Sequence, residues 1–187
     1  TKARENGTWS SDLGVRLLLI HQNFPGQFRQ LAPYLEQRGH ELVAIASHQR
    51  PIALKGRVLR YEEPAGLKGV PLGTQIWHEG LLRAARVAHF AQQLEQEGWH
   101  PNLILAHTGW GETLGLKEVW PAVPQILWPE LWVRPEHGGY GIDPLKPPAG
   151  LDNRLEQLGR NALTRTALSA ASSWVLPTRH QAESLPP

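Results

Sequence analysis

Short, largely apolar runs alternate with helical stretches along almost the whole chain. Residues 15–20, VRLLLI, read as a strand buried on both faces, because such strands show a run of apolar residues and no polar alternation. A loop follows at 21–26, punctuated by Pro25 and Gly26. Phe28, Leu31 and Leu35 then fall at helical spacing, and Gly39 stands where a helix stop is expected. A second strand at 42–46 completes a strand–helix–strand unit. Further strands are expected at 58–61, 102–106, 125–128 and 173–176. A long helix fits 75–97, with Trp77, Leu81, Ala84, Ala88 and Ala91 as its apolar stripe and Gly98 as its stop. A short helix is expected at 114–119, and another at 151–171 with Leu151, Leu155, Leu158 and Ala162 on one stripe. Residues 129–150, rich in proline and glycine, form a long irregular excursion.

This alternation predicts a single α/β domain, a Rossmann-like, doubly wound parallel sheet with right-handed crossovers. Ligands of such sheets bind outside the carboxyl ends of the strands. The loops to inspect are therefore 21–26, 47–56, 62–74, 107–113 and 129–140. Residues 1–14 are polar, lack a hydrophobic signal region, and are expected to be a tail without a role in the fold. Methionine is absent, as expected of a trimmed chain.

Composition removes several chemistries. The chain has 187 residues and no cysteine, which excludes disulfides, thiolate nucleophiles and Cys-ligated zinc. Lys+Arg number 19 against 17 Asp+Glu, a surplus too small to argue for nucleic acid as a partner. No apolar stretch approaches the roughly 18 residues that span a bilayer, so a cytoplasmic location is expected. The histidines are scattered, no H-E-x-x-H is present, and no metal is expected. G-x-S-x-G, G-x-G-x-x-G and the P-loop are also missing, which argues against a serine hydrolase and a dinucleotide site. No cofactor is called for. Eight tryptophans against three Phe and three Tyr suit stacking on sugars or bases, although core packing accounts for most buried aromatics.

Three constellations could carry chemistry. In HQNFPGQF, residues 21–28, His21 and Asn23 lead to Gly26, which permits close backbone approach at what reads as a helix opening suited to an anion or a hydroxyl-rich ligand. The plainer account is a strand-to-helix turn. In AHTGWGET, residues 106–113, His107 follows a buried strand and two glycines bracket Trp110. Glu112 would lie in the first turn of the next helix, where favouring the helix dipole is its plainer account. His107 could hydrogen-bond a sugar hydroxyl or shuttle a proton; a structural hydrogen bond is the alternative. In residues 127–141, Glu130 sits between Trp128 and Trp132, with His137 and Tyr140 beyond. This segment fits an acceptor pocket, a surface touching lipid headgroups at the inner face of a membrane, or a packed loop with salt-bridged charges.

Residues 15–45, VRLLLIHQNFPGQFRQLAPYLEQRGHELVAI, resemble the opening of bacterial glycosyltransferase family 4 proteins. The resemblance continues through PNLILAHTGWGETLGLKEVWP, residues 101–121, and WVLPTRHQAESLPP, residues 174–187. It implies a GT-B architecture of two Rossmann-like domains facing a cleft. This chain would be the N-terminal, acceptor-side domain over residues 15–177, with 178–187 starting the interdomain connector. The nucleotide-sugar donor would sit chiefly on a C-terminal domain carrying an E-x7-E segment, which these residues do not contain. The acceptor would be a saccharide, a lipid-linked saccharide or a small molecule. The implied reaction is retaining, metal-free sugar transfer to a hydroxyl, for which the isolated domain would be inactive. Gly26 matches the family's loop glycine, whose backbone approaches donor phosphate and acceptor. His107 matches the histidine that contacts the transferred sugar. Trp110 and Glu112 lie in a motif of one subgroup. Many relatives have two glycines where this chain has Pro25-Gly26. A non-catalytic Rossmann-like module and half of a nucleotide-sugar epimerase are the competing readings.

Overall fold

The computed structural model describes residues 14–129, 132, 134, 145 and 149–185. The expected tail, apart from Gly14, lies outside these residues, as do Glu130, His137 and Tyr140.

In chain order the elements begin with β1 (Arg16–Ile20), a two-residue β2 (Asn23–Phe24), a 3-10 turn (Gly26–Phe28) and α1 (Leu31–Gln37). Next come β3 (Glu41–Ala46), β4 (His48–Gln49), β5 (Arg57–Arg60) and α2 (Leu72–Gln96). The remainder is β6 (Leu103–Thr108), α3 (Leu116–Val119), β7 (Gln125–Pro129), α4 (Leu151–Ala170), β8 (Ser173–Trp174) and α5 (Arg179–Ser184). Six strands form one parallel sheet in the order β5-β3-β1-β6-β7-β8. This is the doubly wound Rossmann-like order expected from the alternation. Beyond its edge β2 and β4 form a small parallel ladder, Asn23 opposite His48 and Phe24 opposite Gln49, which carries the chain up from β1 and β3.

Alternating residues of the central strands feed two cores, because successive side chains of a strand point to opposite faces. Leu18, Ile20, Val43, Ile45, Ile104 and Ala106 pack with Val87, Ala91 and Leu94 of α2, Leu116 of α3 and Ala167 of α4. Leu17, Leu19, Leu42 and Ala44 pack with Phe24, Phe28 and Ala32 on the other face. Each fully buried leucine of this kind contributes about 1.5–3 kcal/mol. Gly39 and Gly98 end α1 and α2 at φ +84° and +76°. His40 N–H bonds to Leu35 C=O, and Trp99 N–H to Leu94 C=O, the closing bonds of Schellman caps.

Two helical faces differ from the expected stripes. The buried face of α2 is Gly80, Arg83, Ala84, Val87, Ala91 and Leu94, while Leu81 is exposed. On α4 the buried residues are Gln157, Leu163, Thr164 and Ala167, and Leu151, Leu155 and Leu158 point outward at 63%, 42% and 64% exposure. Close helix contact explains both. A Cβ on Gly159 would lie 2.6 Å from Gly73 O, and one on Gly73 would lie 2.5 Å from Leu155 O. Small residues let α2 and α4 approach backbone to backbone, and that seam sets the rotation of α4, leaving Leu151, Leu155 and Leu158 outside while Leu163 packs on Gly80. Among the described residues no helix is long and apolar enough to cross a membrane.

Candidate functional site

The strand order reverses between β1 and β6, and the chain leaves these strands toward opposite faces. Such a switch point opens a crevice at the carboxyl ends. His21 is the first residue after β1, and His107 is the penultimate residue of β6. Their rings stack with centroids 4.7 Å apart and planes at 28°. Both are nearly buried, at 7% and 5% exposure.

The loop after β1 is built around the His21 ring. Asn23 N–H lies 3.0 Å from His21 Nδ1. A backbone N–H can only donate, so Nδ1 accepts and Nε2 carries the ring hydrogen toward Gln27 Oε1. Phe28 meets the ring edge-on at 6.0 Å. Gly26 has φ +46°, and a Cβ there would lie 2.0 Å from His21 Nε2. Only glycine fits over this ring. Gly26 and Asn23 are exposed above it, so four expected residues (His21, Asn23, Gly26 and His107) come together at the switch point. The expected helix opening at Gly26 is absent. Three residues of 3-10 turn follow it, and α1 begins at Leu31 with seven residues. The loop therefore offers close backbone approach without a substantial helix dipole.

HTGWGE serves the fold more than the sequence suggested. Gly109 and Gly111 have φ +129° and +103°, and a Cβ on Gly111 would lie 2.3 Å from Gly80 O of α2. Trp110 is half-buried beneath the Arg160 guanidinium at 5.4 Å, and its carbonyl accepts from Arg83 at 3.4 Å. Helix α3 begins at Leu116, so Glu112 lies ahead of its first turn and the dipole account of it falls away. Glu112 is 2% exposed and accepts from Tyr61 OH at 3.1 Å; its Oε2 has no hydrogen-bond partner among the described residues. Burial is the main cause that pushes its pKa up to about 7, against its own backbone N–H, Tyr61 and Arg83. The Tyr61 hydroxyl is raised as well, by burial and then by the Glu112 charge.

Sequence reasoning missed the network beside this pair. Arg83, drawn into the buried face of α2, bonds Glu63 at 2.9 Å and Glu79 at 3.3 Å. Gln22 donates to the other Glu63 oxygen at 3.0 Å. Burial opposes ionisation of Glu63, but the Ser47, Gln22 and Arg83 donors outweigh it and hold its pKa below the usual carboxylate value. One signal was available, an arginine one step from the alanine stripe of a long helix. Among the described residues no cluster of three His, Asp or Glu side chains could hold a metal ion.

Solved structures similar to the chain include UDP-GlcNAc 2-epimerase from Neisseria meningitidis bound to UDP-GlcNAc. The match has 16% identity, a TM-score of 0.45, and coverage of 93% of this chain and 44% of that one. They also include the glycosyltransferase SnogD from Streptomyces nogalater, at 13% identity, TM-score 0.41, and coverage of 89% and 46%. The chain spans less than half the length of either. No curated protein matches it. The family model described as "Glycosyl transferase family 4 group" matches residues 38–187, most of the chain including β3 through α5. The chain belongs to the glycosyl transferase family 4 group.

Proposed function

We propose that this chain is the acceptor-side domain of a retaining glycosyltransferase that moves a sugar from a nucleotide-sugar donor to a hydroxyl acceptor. The observation that carries this reading is the bare Gly26 backbone lying over the stacked His21–His107 pair at the switch point. With no side chain on Gly26, a sugar or phosphate can approach the backbone closely. In this reading a ring nitrogen of His107, nearly buried at the carboxyl end of β6, hydrogen-bonds a hydroxyl of the transferred sugar. His21, held by Asn23 N–H and Gln27, fixes the height of the loop and the face on which His107 rests. The chain thus contributes orientation and water exclusion, and the partner domain holds the donor and supports its leaving phosphate. The reading is tested by His107→Ala in the complete transferase, with sugar transfer followed directly. Turnover should fall by roughly 10- to 1000-fold, the range for a positioned polar group, measured at a temperature where the variant is folded. Unchanged turnover would remove His107 from the site.

A further inference from the structure

Two contiguous cavities lie at the other end of the carboxyl edge, where β5 borders the sheet. One, of about 390 Å³, is lined by Ser47, His48, Arg60 and Tyr61 among others. The second, of about 360 Å³, runs from Arg60 and Tyr61 to Arg86, His89 and Phe90 of α2. Each is large enough for a small ligand. They share Arg60, Tyr61 and Glu62, so together they form one groove.

The charges in this groove are unbalanced. Arg16, Arg57, Arg83 and Arg160 each pair with a carboxylate. The Arg60 and His89 side chains form no hydrogen bond or ion pair with the described residues. Arg86 bonds only the Glu62 backbone carbonyl, leaving the rest of its fork open. Glu62 also lines the groove, where only its backbone carbonyl bonds a guanidinium, and Glu63 is committed to Arg83 and Gln22. Two guanidiniums in one cleft repel each other unless an anion sits between them, and their planar forks match phosphate and carboxylate. Phe90, part-buried on α2, adds ring surface beside them, suited to the apolar face of a sugar.

We infer that this groove binds an oxyanion, phosphate or carboxylate, carried by the sugar acceptor, with Arg60 and Arg86 as its clamp. Assigning the oxyanion to the acceptor rests on the transferase reading; the binding itself does not.

The test is titration of the chain with inorganic phosphate, glucuronate and neutral glucose, followed through the arginine Nε–H resonances. Saturable binding of the two anions is expected, with glucose weaker by about tenfold or more. Raising ionic strength from about 0.01 to about 0.15 M, which shortens the screening length from roughly 30 to 8 Å, should weaken the anions only. The Arg60→Gln/Arg86→Gln double variant should lose at least about tenfold in anion affinity at an unchanged melting temperature. Arg38→Gln, a surface change over Tyr34, should lose nothing. Flotation with phosphatidylglycerol vesicles but not phosphatidylcholine, abolished in the double variant, would assign the oxyanion to a lipid headgroup. Anion titration without flotation would assign it to a soluble acceptor. Equal affinities of wild type and double variant, or no saturable binding of either anion, would overturn the groove. Anion binding in a protein whose complete form transfers no sugar would leave the groove and remove the transferase reading. Sugar transfer without anion binding would remove the groove alone.

Discussion

Glu112 places an ionisable group where water does not reach it, and the consequence is a definite pH signature. Its folded pKa of about 7 stands above the ordinary 4.5. Below about pH 4.5 the folded and unfolded chains both hold the proton, and the residue contributes no pH dependence. Between the two values the unfolded chain releases the proton and the folded chain keeps it, so stability falls with rising pH by about 1.4 kcal/mol per unit. Above about pH 7 both are ionised and the loss levels off at about 3 kcal/mol. Glu112→Gln keeps the shape and the Tyr61 contact but cannot ionise. Urea unfolding should show the variant close to wild type near pH 4.5 and more stable at pH 8; parallel curves across that range would contradict the assignment. The residue scale also shows what a single sequence can place. His21, Asn23, Gly26 and His107 were legible because each sits at the carboxyl end of a strand or in the loop just after it, a position set by local pattern. Tyr61, Glu63 and Arg83 were not, because their meeting joins the end of β5 to the middle of α2, and no spacing rule links those segments.

Among the elements, the α2–α4 seam decides most. Gly159 is a helical glycine, and in an open helix Ala would stabilise it by about 1 kcal/mol. Here the added carbon would meet Gly73 O at 2.6 Å, so backbone must shift. Gly159→Ala is therefore expected to destabilise by about 1–3 kcal/mol, the usual penalty of overpacking, read as a lower thermal midpoint. A raised midpoint would show that the helices are not in this close contact. The same seam predicts the opposite of the leucine stripe on α4. Leu158→Ser should change stability by no more than about 0.5 kcal/mol, as at an exposed position, and not by the 2–5 kcal/mol or so of a core leucine truncation. Denaturant midpoints separate the two. Periodicity located both helices to within a few residues, yet mis-assigned their faces. An apolar stripe records which residues share a side, and on α4 Gly159, Leu163, Thr164 and Ala167 made the contact that Leu151, Leu155 and Leu158 were expected to make.

For the molecule as a whole, the sheet order brings β1 beside β6 and so places the two histidines in one crevice, while β5 lies two strands away with its own groove. In the transferase reading the proposed site is one wall of a cleft; the chain spans less than half the length of the epimerase and SnogD structures. The 187-residue chain alone should give no sugar transfer under conditions in which the complete transferase turns over; measurable transfer by the chain would refute this. By itself the sequence determined the parallel α/β plan and the loops at the carboxyl edge, because unbroken apolar runs, helix stops and strand-to-helix alternation are properties of neighbouring residues. Only the tertiary structure decided which helix faces are buried, that Glu112 pairs with Tyr61, and that Arg60 and Arg86 share a groove. Those outcomes depend on how closely distant segments can approach, and that distance is set by glycines meeting backbone and by charges finding, or failing to find, a partner.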